Sequence, residues 1–131
     1  MRGRVRSVAA AGLMAIWMAG PAAAQMAAPE AAPPDSTKLF KTQCATCHTI
    51  HASDPKRQGP TLEGVFGRKA GSVADFHYSA GFTKADWTWD KAHLDSWLTN
   101  PQAVIPGTIM PYHQSKAEVR AAIIGYLEDL H

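Results

Sequence analysis

Apolar residues along this chain fall into three short periodic runs separated by a long stretch without any period. Leu39, Phe40, Cys44 and Cys47 recur at helical spacing behind Asp35 and Ser36, either of which can cap a first turn. The first predicted helix therefore carries both cysteines on one face. Trp89-Asp90-Lys91-Ala92-His93-Leu94 reads as the start of a second helix, with Asp90 as N-cap and Trp89 placed to staple onto Leu94. Asn100-Pro101 stops it, because the residue before a proline is pushed out of the helical region. The third run opens on Ser115-Lys116-Ala117-Glu118, the spacing of a capping box, and continues with Val119, Ile123, Tyr126 or Leu127, and Leu130 on one stripe. From Thr49 to Lys84 the chain is rich in Gly, Pro, Ser and charge and keeps neither period, so it reads as loops. A loop of that length in a compact domain is unusual unless it carries function, and a bound group would give it something to wrap around. Three main helices, long loops and no strand pattern predict an all-α class.

The ends of the chain change the picture of what folds. Arg2, Arg4 and Arg6 form a basic head, Val8 to Ala19 an apolar run and Ala22-Ala23-Ala24 a small-residue cleavage site, so residues 1–24 are expected to be a signal peptide. The apolar run is shorter than the roughly 18 residues a membrane span requires, so no stable membrane insertion is expected. Residues 25–34 (QMAAPEAAPP) have no periodic face and are read as a flexible tail, leaving 35–131 as one small domain. A domain of about 100 residues buries a modest share of its surface and gains from a staple. Removing the signal also turns the formal charge of +2 to −1, ten Lys and Arg against eleven Asp and Glu, and with it the case for a nucleic-acid partner disappears.

The candidate chemistry is concentrated in Cys44-Ala45-Thr46-Cys47-His48. C-x-x-C-H is the attachment pattern for a c-type haem, in which two thiols bond the macrocycle and the adjacent imidazole binds iron. The chain has no other cysteine, so one haem accounts for both thiols. A disulfide across two intervening residues would restrain little chain entropy, and small disulfide-built domains carry more cysteines. A zinc site would need two further ligands, and His51, His77, His93 and His113 show no paired spacing. A thioredoxin-like redox pair would want a βαβ context, which is missing. Outside the presumptive signal and tail, Met110 is the sole methionine, which singles it out as a second axial ligand; a role as core filler, or His113 as ligand in its place, remains open at this point.

The segments LFKTQCATCHTI, GPTLEGVFGRKAG, Tyr78-Ser79-Ala80, Thr88-Trp89 and WLTNPQAVIPGTIM resemble the class I cytochromes c, in particular the mitochondrial cytochrome c and bacterial cytochrome c2 group. The likeness runs from about Thr37 to Leu130 and, from Phe40 to Met110, shows no insertion or deletion. It implies a small class I fold around one covalently bound haem c, with His48 and Met110 as the iron ligands. It implies that the Pro60 carbonyl receives the Nδ1 proton of His48, that Arg68, Tyr78 and Trp89 contact the haem propionates, and that Thr108 adds a hydroxyl near one of them. Phe40 and Tyr126 are expected to join the first and last helices, and Trp87 to be a packing aromatic.

Two departures from the resemblance stand out. Trp97 occupies a position over the haem plane where relatives have a tyrosine, and indole donates a hydrogen bond but cannot accept one. The lysine ring that some relatives place around the haem edge is largely replaced here by Gln43, Gln102, Ala103 and Ile109, although Lys41, Lys56, Arg57 and Lys69 remain. A weakly charged docking patch with Ala103, Val104, Ile109 and Tyr112 as apolar contacts is the expected consequence. By resemblance, haem attachment takes place outside the inner membrane, which agrees with the export signal. The function expected is that of a monomeric periplasmic electron carrier, not an enzyme, between a quinol-oxidising complex or dehydrogenase as donor and an oxidase or reductase as acceptor. A cytochrome subunit held by one periplasmic dehydrogenase is the alternative, and a haem peroxidase or gas sensor a more distant one.

Overall fold

The structure, a computed structural model, describes residues 32–131. The signal peptide expected at 1–24 and most of the tail expected at 25–34 lie outside the described residues. Helix α1 spans Ser36–Gln43, and Asp35 caps it as expected, its Oδ1 accepting from the Lys38 N–H at 3.0 Å. The cysteines are not on this helix. The Cys44 N–H still bonds the Phe40 carbonyl at 2.9 Å, but the Ala45 N–H reaches the same carbonyl at 3.0 Å, and that shared acceptor opens the last turn. Cys44 to Cys47 then form a separate turn, closed by Cys47 N–H and His48 N–H on the Cys44 carbonyl at 3.1 and 3.0 Å.

Helix α2, Lys91–Thr99, starts where the sequence placed it, with Asp90 Oδ1 accepting from the His93 N–H at 2.8 Å. It also ends before Pro101, yet the chain does not leave helical structure there. Asn100 closes α2 through its N–H on Ser96 and caps the short helix α3, Pro101–Val104, through its side chain on the Ala103 N–H at 3.3 Å. Pro101 sits in the first turn of α3, where no N–H is missed.

Helix α4, Ala117–Glu128, forms without its expected capping box: the N-cap residue is Lys116, and no side chain caps it. Arg120 organises this end instead. Its guanidinium donates to the Gln114 and Ser115 carbonyls at 3.0 Å each and pairs with Asp95 of α2 at 2.7 Å. Arg120→Met is therefore expected to destabilise the haem-loaded protein by about 1 kcal/mol, mostly through the part-buried Gln114 carbonyl left without a donor, since the Ser115 carbonyl is open to water and Asp95 is half exposed, so that its share is screened. Denaturant unfolding measures this; a change within error would mean that α4 needs no such clasp.

Helices α1, α2 and α4 bury one cluster that includes Phe40, Leu94, Leu98, Ile124 and Leu127 around Ile123, which is 0% exposed. Phe40 and Tyr126 meet as expected, ring centroids 4.8 Å apart, where α1 crosses α4. The long loop is pinned rather than free. Gly67 N–H to Trp89 carbonyl (2.7 Å), Trp89 N–H to Arg68 carbonyl (2.9 Å) and Ala70 N–H to Trp87 carbonyl (2.9 Å) lay 67–70 antiparallel to 87–89, and Gly64 N–H reaches the Leu130 carbonyl at 2.9 Å. A 3-10 turn at Ala80–Lys84 breaks the stretch read as pure loop. The described residues contain this one isolated bridge and no strand, in keeping with an all-α class.

Candidate functional site

The turn that follows α1 brings two thiols and an imidazole together. His48 Nδ1 lies 2.8 Å from the Pro60 carbonyl. A carbonyl can only accept, so Nδ1 carries the proton and Nε2 keeps its lone pair, the tautomer a metal ligand needs. The imidazole lies flat on Gly59: a Cβ built there would fall 2.6 Å from Nδ1, with other ring atoms as near. Gly59 is itself held by its N–H on the Cys47 carbonyl at 2.7 Å. Burial holds the His48 pKa below its ordinary value, the Pro60 bond opposing it, so the ring is neutral at physiological pH. Burial, and then the neighbouring Cys47, push the Cys44 thiol up to about 11, so the unmodified side chain stays protonated.

This turn forms one wall of a cavity of about 370 Å³. Cys44, Cys47, His48 and Pro60 line one side of it, and Met110 and Thr108 come to it from the segment after α3. Arg68, Tyr78, Trp89 and Trp97 complete the ten residues singled out in the sequence, all of which line this single space. Its lining is otherwise mostly apolar, with Leu94, Leu98, Ile123 and Leu127 extending the core into it.

The polar groups have distinct assignments. The Tyr78 hydroxyl accepts from the Val73 N–H at 3.2 Å, which leaves its own proton to donate. Arg68 donates to the Glu63 and Thr61 carbonyls at 2.6 and 2.9 Å, so besides bringing charge to the cavity it braces the 61–63 loop. That bracing was not foreseen. Burial lowers the Arg68 pKa, with Tyr78 opposing, from a value high enough that the guanidinium stays charged. Among the described residues Trp89 Nε1 and Thr108 Oγ1 have no protein hydrogen-bond partner. Trp97 is 8% exposed and packs edge-on against Phe82 and Trp89, centroids 5.5 Å away in each case. Trp87 stays off the cavity, stacked on His93 at 5.6 Å and 4°; its Nε1 is buried without a partner, and nothing in the structure accounts for that.

Sequence reasoning missed several members of the site. Gly59 carries no chemistry and gives no signal until the ring is seen on it. Tyr112, expected as a docking contact, is half buried and lines the cavity, and its hydroxyl donates to Gln43 Oε1. Val104 likewise packs against the core, while Ile109 is 67% exposed beside the opening. Gln102, read only as a lost cation, bonds the Gly107 N–H and the Thr108 carbonyl.

The donor set fits a haem. Two thiols at C-x-x-C spacing, a neutral imidazole with Nε2 available and a thioether on an apolar cavity match covalent attachment and His/Met ligation. No group of three His, Cys, Asp or Glu side chains that could hold a metal ion occurs among the described residues, so the zinc reading lacks its remaining ligands.

Comparison with known proteins points the same way. The family model described as Cytochrome c matches residues 35–131. Cytochrome c of Ulva intestinalis is 41% identical over 103 residues, 78% of this chain and 93% of that protein. Cytochrome c of Theileria annulata is 43% identical over 102 residues, 77% of this chain and 88% of that protein. Cytochrome c of Cannabis sativa is 40% identical over 104 residues, 76% of this chain and 94% of that protein.

Proposed function

Because the chain belongs to the cytochrome c family, we propose that it is a periplasmic one-electron carrier whose haem is held by Cys44 and Cys47 and ligated by His48 and Met110. The family carries covalently bound haem c and transfers electrons rather than acting as an enzyme. The observation that carries the residue assignment is the single cavity onto which all four side chains open. Bound there, the haem supplies exchange of one electron between ferrous and ferric iron. The protein's own residues set the conditions for that exchange. Pro60 and Gly59 fix the His48 ring, the Met110 thioether favours the reduced state, and the apolar lining keeps water from the site. Tyr78, Trp89 and Arg68 line the same cavity and would offer two hydrogen-bond donors and a cation to the carboxylates of a bound haem.

Export rests on the basic head, the apolar run and the Ala22-Ala23-Ala24 site, with cleavage after Ala24. No helix among the described residues is long and apolar enough to cross a membrane. The electron donor is a quinol-oxidising complex or a dehydrogenase, and the acceptor an oxidase or reductase. A freely diffusing carrier is favoured over a permanently bound subunit because Ile109 is the one large apolar side chain that is exposed among the described residues, too little for a stable interface. Fractionation followed by stopped-flow mixing with respiratory membranes tests this reading. Haem-stained protein of the processed mass is expected in the periplasm, exchanging electrons with the membranes at a rate that changes little with salt. Recovery only in the cytoplasm would contradict export, and absence of electron exchange would contradict the carrier role.

A further inference from the structure

We infer that Gln102 is a positioning residue for the sixth iron ligand, holding the Met110 thioether in place by clamping the turn that precedes it. The inference rests on the reading of Met110 as a ligand. Among the described residues the backbone of Ile109, Met110 and Pro111 makes no hydrogen bond, so the thioether is placed by whatever fixes the chain on either side. On the following side Gln114 N–H bonds the Leu98 carbonyl at 2.7 Å, and the Tyr112 hydroxyl reaches Gln43, the residue next to Cys44. On the preceding side the Thr108 N–H bonds the Ile105 carbonyl at 3.1 Å, and the side-chain tether added to that turn is Gln102. Its Oε1 accepts from the Gly107 N–H at 3.1 Å and its Nε2 donates to the Thr108 carbonyl, so both ends of one amide grip consecutive residues, three and two positions before the ligand. Gly107 has φ +84°, a conformation the clamp helps to hold. A lysine at position 102 has no acceptor and could not make the bond to Gly107. The glutamine thus exchanges a steering charge for a stiffer ligand loop.

Loss of the clamp should let the loop swing and small ligands compete for iron, while the fold stays intact because Gln102 is an exposed side chain. The test uses the haem-loaded ferric protein, with azide as the competing ligand, the near-infrared sulfur-to-iron band as the spectroscopic signature and thermal unfolding as the control. Gln102→Leu removes both bonds and is expected to bind azide on the order of tenfold more tightly than wild type, since each net hydrogen bond is worth a factor of a few. Its unfolding midpoint should match wild type. Gln102→Glu keeps an acceptor for Gly107 and loses the donor to Thr108, so its azide affinity should fall between the two. Equal affinity in wild type and Gln102→Leu, with the band present in both and lost in Met110→Ala, would overturn the clamp and leave the ligation standing. Wild type that already binds azide as tightly as Met110→Ala, with no band, would overturn the ligation and the clamp with it.

Discussion

Met110→Ala is expected to lose the near-infrared sulfur-to-iron band, to lower the reduction potential on the order of 0.1–0.3 V and to gain peroxidase activity that wild type lacks. The reasoning starts from the donor inventory of the cavity. Among the described residues Met110 is the one thioether that lines it; besides His48 the lining holds one further imidazole, His77, which belongs to the 76–79 stretch and not to the segment after α3. A thioether opposite an imidazole stabilises ferrous iron, so its removal should stabilise the ferric state and lower the potential. It also leaves a coordination position to which water, azide or peroxide can bind. His113, the alternative ligand, is exposed and does not line the cavity, so it is not placed to take over. Ferric spectra, a potentiometric titration and a peroxidase assay measure the three effects, and persistence of the band in the variant would refute the ligation.

Gly59→Ala should have a comparably large effect, although the residue carries no chemistry. The new Cβ would sit 2.6 Å from His48 Nδ1, with the backbone of Gly59 tied to Cys47 and unable to withdraw freely. The ring must then turn away from the Pro60 carbonyl. Loss of that kind of supporting partner typically costs a metal ligand on the order of tenfold or more in affinity. Gly59→Ala is thus expected to give a low yield of low-spin haem protein, with high-spin absorption in what is recovered. Gly125→Ala is the matched control, since nothing lies within 4 Å of a Cβ there and alanine is favoured in a helix. A wild-type yield and spectrum for Gly59→Ala would mean the ring does not depend on that glycine.

Residues whose chemistry is carried by type and spacing were legible in the sequence. C-x-x-C-H, the single domain methionine and the cap at Asp90 are local signals, and the resemblance added Pro60, Arg68, Tyr78, Trp89, Trp97 and Thr108, all of which line the cavity. What escaped depends on the chain folding back on itself. Helix α1 stops short of the cysteines because two N–H groups share the Phe40 carbonyl, a choice no periodicity reports. The Ser115–Glu118 box matched its pattern and did not form: the N-cap is Lys116, one residue later, and its N–H goes to Gln114 Oε1. Gln43, Gln102 and Tyr112 looked like surface features when judged by charge and hydropathy. The hydrogen bond between Tyr112 and Gln43, 69 positions apart, makes those two part of the cavity wall, and Gln102 bonds the 107–108 turn that leads into it.

The most direct test of the proposed site is the ferric wild-type protein itself, purified from the periplasm. Its intact mass under denaturing conditions should equal residues 25–131 plus one haem, and its near-infrared spectrum should show the sulfur-to-iron band. Haem that extracts into acidified organic solvent, or a covalent haem protein without that band, would contradict attachment through Cys44 and Cys47 or ligation by Met110, respectively.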